Sequence, residues 1–243
     1  ARSAEPYSAF EPEMDNLRAA LAWAFAPAGD LALGVGLAAA ALPVWFATSL
    51  PAEAHAWSER AVRTLDEAGL RGSRQEMLLQ TAFAISLQMV RAGTSEAHAA
   101  LSRALALAEQ FQDTDHQLHV LHTLWVHHMR MGEVSEALDL ARRAEVLAGS
   151  MAEPDAATTA EWMLGIALHF AGEHRSARRH LEHLLLGPAP STRRRQICRA
   201  GFDLYITARY LLGHVLWVQG FSDQAAAAVR NAVAEAQRIA HPI

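Results

Sequence analysis

The feature that most constrains this chain is a pattern of small residues that returns along its length. LGIALHFAGEHRSARRHLEHLL, from Leu164, and LGHVLWVQGFSDQAAAAVRNAV, from Leu212, share a Leu-Gly pair, a second Gly seven residues later and an Ala five beyond that. The shared positions are Gly165, Gly172 and Ala177 in one copy and Gly213, Gly220 and Ala225 in the other. A third copy, LWVHHMRMGEVSEALDLARRAE, keeps Gly132 and Ala137 but carries Trp125 at the first glycine position. A fourth ends near Ala97, Leu101 and Ala104, and a degenerate fifth has Ala54, Ser58 and Ala61. The pattern suits a pair of antiparallel helices. The first needs a small residue where its partner crosses closely, the turn needs Gly for a positive φ, and the second needs Ala where it nests. Neither helix can bury its apolar face alone, so successive pairs must stack.

The rest of the chain agrees with that reading. Ala and Leu dominate a composition that is 51% hydrophobic, enough for a substantial core, and β-branched residues are sparse. Met14, Leu17, Leu21 and Phe25 recur at helical spacing. Ser73 with Glu76, and Thr114 with Gln117, have the spacing of capping boxes. Pro51 and Pro154 suit first helical positions, and Gly69, Gly93, Gly132, Gly149, Gly172 and Gly220 read as turns. No alternating strand pattern stands out. Helices are expected over 12–27, 31–48, 52–68, 74–92, 95–111, 115–131, 134–148, 155–171, 174–186, 194–219 and 222–240. The fold class expected is all-α, a right-handed superhelix of antiparallel helix pairs, with residues 1–243 as one repeat domain.

The small-Gly-Ala pattern resembles the tetratricopeptide repeat. The alanines Ala54, Ala97, Ala137, Ala177 and Ala225 are 43, 40, 40 and 48 residues apart, longer than the roughly 34-residue period of that repeat. The amino-terminal segment EPEMDNLRAALAWAFAPAGDLALGVGLAAAALPVWF resembles the start of the helical repeat region in large bacterial transcriptional regulators. Asp15, Asn16, Leu17, Arg18, Ala20, Leu21 and Trp23, then Trp45-Phe46, carry that likeness, and LWVQGFSDQA adds to it. In that family a winged-helix or LuxR-type DNA-binding module precedes a signal-transduction ATPase, and the repeats follow. The resemblance implies regulation by binding a small-molecule effector or a protein partner in the cytoplasm. It also implies that this chain is part of a longer protein. A Gly-rich phosphate loop and a winged helix are absent from these residues, so neither ATP hydrolysis nor DNA recognition is assigned to them.

The chemistry available is narrow. All 21 basic residues are Arg, which removes P-loop, Schiff-base and Ser-Lys chemistry. The net charge of -5 argues against direct nucleic-acid contact. One cysteine, Cys198, allows neither an internal disulfide nor a cysteine-based zinc site. The uncharged stretch from Leu31 to Ala52 holds Gly34, Gly36 and Pro43 and reads as a buried helix rather than a membrane span. His119 with His122, and His180 with His183, share helix faces, but no HExxH pattern accompanies them, so no metal or cofactor is expected. Glu133, Glu136, Glu173 and Glu182 fall at turns or polar faces, and no nucleophile motif is present, so no enzyme is expected. Arg193-Arg194-Arg195 reads as a solvated helix start after the 187–192 loop.

The binding site is expected on the concave face. In the tetratricopeptide arrangement, the residues three before, one after and four after the small packing residue point there. Those offsets give His122, Val126 and Met129 around Trp125, Trp162, Ile166 and His169 around Gly165, and Tyr210, His214 and Trp217 around Gly213. Aromatic, Met and His side chains at such positions supply area and polar handles to a partner. The last helix, running through Val229, Val233 and Ile239, has no polar capping helix after it, so a homodimer through exposed end repeats is also expected.

Overall fold

A computed structural model describes residues 12–48, 50–91, 93–186 and 203–239. Their helices are α1 (Met14–Ala24), α2 (Leu31–Ala47), α3 (Pro51–Arg63), α4 (Arg74–Val90), α5 (Ser95–Gln110), α6 (Thr114–Met131), α7 (Val134–Gly149), α8 (Pro154–Phe170), α9 (His174–Leu186), α10 (Leu204–Val218) and α11 (Ser222–Ile239). No strand occurs among the described residues. The chain forms two compact units, residues 1–123 and 124–243.

In the first unit, neighbouring helices pack in sequence order, α1 on α2, α2 on α3, α3 on α4 and α4 on α5. Its core gathers Leu21, Val35, Trp45, Ala54, Ala61, Leu65 and Leu79, all removed from solvent. Three of the residues that carry the amino-terminal resemblance, Arg18, Leu21 and Trp45, hold this end together. Leu21 and Trp45 fill the core. Arg18 reaches from α1 to α3, donating to Glu53 Oε2 from Nε (2.8 Å) and to Oε1 from Nη2 (2.6 Å). α2 contains Pro43, which removes one rung of its ladder. No helix among the described residues is long and apolar enough to cross a membrane.

Glu76 is the polar centre of this unit, its side chain fully shielded from water. Arg103 of α5 meets it with two parallel bonds, Nε to Oε1 and Nη2 to Oε2, both 2.9 Å. The Gly72 N–H donates to Oε2 (2.6 Å) and Arg71 Nη1 to Oε1 (3.2 Å). Burial alone would push this carboxyl up. The Arg103 bonds, the Gly72 N–H and Arg71 outweigh it and hold the group at about 2. The capping box expected at Ser73 is present, with Ser73 Oγ accepting from the Glu76 N–H at 3.1 Å. At α6 the cap is one residue earlier than expected, because Asp113 Oδ1 accepts from the His116 N–H (3.1 Å) and Thr114 is already helical.

The second unit repeats one motif: α7 packs on α8, α8 on α9, α9 on α10 and α10 on α11. The turns before α9 and α11 are set by Gly172 (φ 82°) and Gly220 (φ 87°), a backbone region that an L side chain occupies only with strain. Gly165 and Gly213 sit at close helix crossings. A Cβ on Gly165 would lie 2.7 Å from Leu181 Cγ, and one on Gly213 would lie 2.6 Å from Val229 Cγ2. Gly165 therefore faces Leu181, one turn beyond the fully buried Ala177. One expectation changes here. α10 starts at Leu204 rather than within a helix running from 194, because Asp203 is an extended cap whose Oδ1 accepts from the Tyr205 and Ile206 N–H groups. Cys198, Arg193-Arg194-Arg195, the 187–192 loop and the 194–202 part of that helix lie outside the described residues.

A candidate partner-binding face

The face is built by α8, α9 and α10 of the second unit. Along α10, Leu204, Tyr205, Ile206, Ala208, Gly213, Val215 and Leu216 turn inward and are buried. Tyr210, His214 and Trp217, spaced four and three residues apart, line up on the opposite stripe. Trp217 is 69% exposed and Tyr210 46%. Tyr210 and His214 pack ring on ring at 4.5 Å between centroids. An exposed Trp beside an exposed Tyr is surface that water solvates poorly.

α8 contributes His169 and Phe170 where its last turn opens toward Gly172. His169 Nδ1 lies 3.2 Å from Nδ1 of His174, the first residue of α9, so one imidazole donates and the other accepts. Burial pushes His169 down, and the charges of His174 and His214 push it the same way. Imidazoles of two other helices thus bear on His169. Phe170 and Phe221 extend the apolar surface, both more than two-fifths exposed. Beside them lies a groove of about 780 Å3, lined by Gly172, Glu173, His174, Arg175, Ser176, Arg178, Gln219 and Phe221.

The nine residues expected on the concave face divide by environment. His169, Tyr210, His214 and Trp217 come together on this surface. Trp162 and Ile166 are buried in the second unit, at 4% and 5% exposure. Trp162 packs against Trp125 at 5.0 Å between centroids, and its indole N–H donates to Thr207 Oγ1 at 2.9 Å. Val126 and Met129 are half-buried on the same stretch of α6 as the buried Trp125, and His122, in the first unit, is buried. Phe170, His174, Arg175, Arg178 and Phe221 escaped the offset rule because they sit at the turns. The signal available for them was the shared stretch around Gly172 and Gly220, each followed closely by a charged or aromatic residue.

The histidine pairs have protein partners. His180 and His183 both bond Glu161 through Nδ1, at 2.6 and 3.1 Å, which ties α9 to α8. His119 packs against His116 at 5.9 Å. Among the described residues, no three His, Cys, Asp or Glu side chains converge as a metal site would require.

No protein-family model matches the sequence, and no curated protein matches it. Solved structures do. NprR, in complex with its cognate peptide NprX, is similar over 95% of this chain and 62% of its own, with 14% identity and a TM-score of 0.68. BtubC (BKLC) from P. vanneervenii is similar over 72% of each chain, at 18% identity and a TM-score of 0.63. A Podosopora anserina protein described as a kinesin light chain with nearly identical TPR-like repeats is similar over 83% of this chain and 95% of its own, at 18% identity and a TM-score of 0.62. At such identities the likeness is one of architecture, and with the helix pairs above it shows an all-α, tetratricopeptide-like repeat fold.

Proposed function

We propose that this chain is a partner-binding repeat region, and that the His169, Tyr210, His214 and Trp217 face receives a peptide segment of its partner. The observation that carries the reading is the exposure of Trp217 and Tyr210 on a helix whose other stripe is fully used in packing. Folding gains nothing from leaving so large an indole in water, whereas a docking partner would bury it. That NprR holds a peptide while sharing this architecture supports the same reading. The amino-terminal likeness to the repeat regions of bacterial transcriptional regulators supports a place in such a regulator, with the bound segment as its signal. Reading the coding sequence upstream of Ala1 tests that finer point: a phosphate loop ahead of these repeats supports it, and further repeats alone overturn it in favour of a general interaction scaffold.

The binding reading is tested by selecting displayed 12-residue peptides on the immobilised chain and measuring the enriched sequences by fluorescence anisotropy. The double variant Y210A/W217A should bind them at least about tenfold more weakly, the scale of one lost interface anchor. Its helical circular dichroism should be unchanged. Undiminished binding by that variant would place the site elsewhere.

A further inference from the structure

The groove beside the aromatic stripe has a charge and hydrogen-bonding character of its own. Arg175 is exposed, and among the described residues no carboxylate pairs with it. Arg178 lies 5.0 Å over the Phe221 ring while its Nε donates to Glu182 (2.7 Å), so its guanidinium is held in place at the groove wall. His174 precedes them in sequence and Ser176 stands between them, and the first turn of α9 contains no acidic residue. The positive end of that helix opens toward the groove, where Glu173, immediately before its first residue, is the nearest carboxylate in sequence. Beyond it, His169 and His214 continue the imidazole cluster, and the charges of His174 and His214 bear on His169. Among the described lining residues Glu173 is the single carboxylate, set against Arg175, Arg178 and His174. Gln219 adds a polar mark of another kind. Its Oε1 is buried in the groove lining and accepts no hydrogen bond. A peptide backbone N–H is one donor that would satisfy it.

We propose that the segment bound on this face is acidic as well as apolar: its aromatic or aliphatic side chain covers Trp217 and Tyr210, and an Asp or Glu close by in its sequence enters the groove between Arg175, Arg178 and the start of α9. The inference rests on the peptide-binding reading above and adds the chemistry of the peptide. A chain charge of -5 opposes a polyanion more than a peptide carrying one or two carboxylates, which favours a peptide over nucleic acid as the source of the negative charge.

The test uses the same displayed 12-residue library on the full chain. Enriched peptides should combine Asp or Glu with aromatic or aliphatic residues. Their synthetic Asn/Gln counterparts should bind about fivefold more weakly, the effect of one partly exposed ion pair, and raised salt should weaken only the acidic forms. Arg175→Glu should reproduce that loss for acidic peptides and leave the Asn/Gln forms unaffected. Arg175 bonds nothing among the described residues, so this variant reports on the groove rather than on folding. Enriched peptides that are neutral or basic, or acidic ones indifferent to Arg175→Glu, would overturn the inference while leaving the peptide-binding face standing. A library yielding only binders indifferent to Y210A/W217A, or none, would overturn the face itself. Stronger competition by a 12-nucleotide single-stranded DNA than by an acidic peptide would overturn the peptide as the source of the charge.

Discussion

Replacing Glu76 with Gln removes one charge and almost no volume, so its cost isolates the electrostatics at the centre of the first unit. The carboxylate accepts from Arg103 twice, from Arg71 and from the Gly72 N–H. Gln keeps one acceptor oxygen but turns an NH2 group toward those donors. The displacement of this carboxyl from its ordinary value near 4.5 to about 2 corresponds to about 3 kcal/mol favouring the charged form in the fold. Both arginines remain half exposed and can recover hydration, so the expected loss is about 2–3 kcal/mol rather than the larger cost of stranding a buried cation. The sign with pH follows from the downward shift. The contribution is complete above the unfolded value and fades as pH falls from there toward 2, where the folded group takes up its proton. Urea denaturation of both proteins, followed by circular dichroism at pH 7, 5, 4 and 3, should give a constant difference down to pH 5 and a shrinking one below. A difference under about 1 kcal/mol at pH 7, or one that does not change down to pH 3, would refute the account of Glu76 as the ionic link between α4 and α5.

Four further outcomes are expected. Ala177→Leu should overpack a fully buried site next to the Gly165–Leu181 crossing and cost about 1–3 kcal/mol, read as a lower urea midpoint. His169 is held below its ordinary value, so it weakens the fold as pH falls through about 6.5; a His169→Gln variant should show less loss of midpoint between pH 7.5 and 5.5 than the parent. Y210A/W217A should melt within a degree or two of the parent, because both side chains are largely exposed. Dimerisation through the end repeat should appear in sedimentation velocity at high micromolar concentration, and Val233→Glu, on the exposed side of α11, should abolish it; a monomer at that concentration would remove the dimer from consideration.

The repeat register was legible because its physics is local. Gly172 before α9 and Gly220 before α11 take the positive φ that their spacing implied, and α9 has the bounds 174–186 that the polar-apolar pattern outlined. Element ends were less legible where a side chain outside the periodic pattern decides them. Asp113 rather than Thr114 caps α6, and Asp203 stops α10 from extending toward its amino side. The exposure of the residues named by the offset rule was legible on α10, where Tyr210, His214 and Trp217 are exposed, but on α8 the rule also named Trp162 and Ile166, which are covered. Trp162 is buried because Trp125 and Thr207, on other helices, meet it. No spacing within one repeat contains that information. The groove residues went unread for the same reason: Arg175, Arg178, Gln219 and Phe221 become neighbours only when two turns meet in space.

The uneven placement of the tryptophans gives the protein an optical consequence. Trp45, Trp125 and Trp162 are sealed in apolar surroundings, whereas Trp23 and Trp217 stand in water. Emission should therefore be a composite of a blue component that acrylamide barely reaches and a red component that it quenches readily. A ligand seated on α10 would shield Trp217 while Trp23, on α1 of the other unit, stays open to the quencher. The red component would then lose part of its quenchable intensity and keep the rest. Occupancy of the face can be followed by light alone, without a label, with Trp23 as the reference signal inside the same molecule.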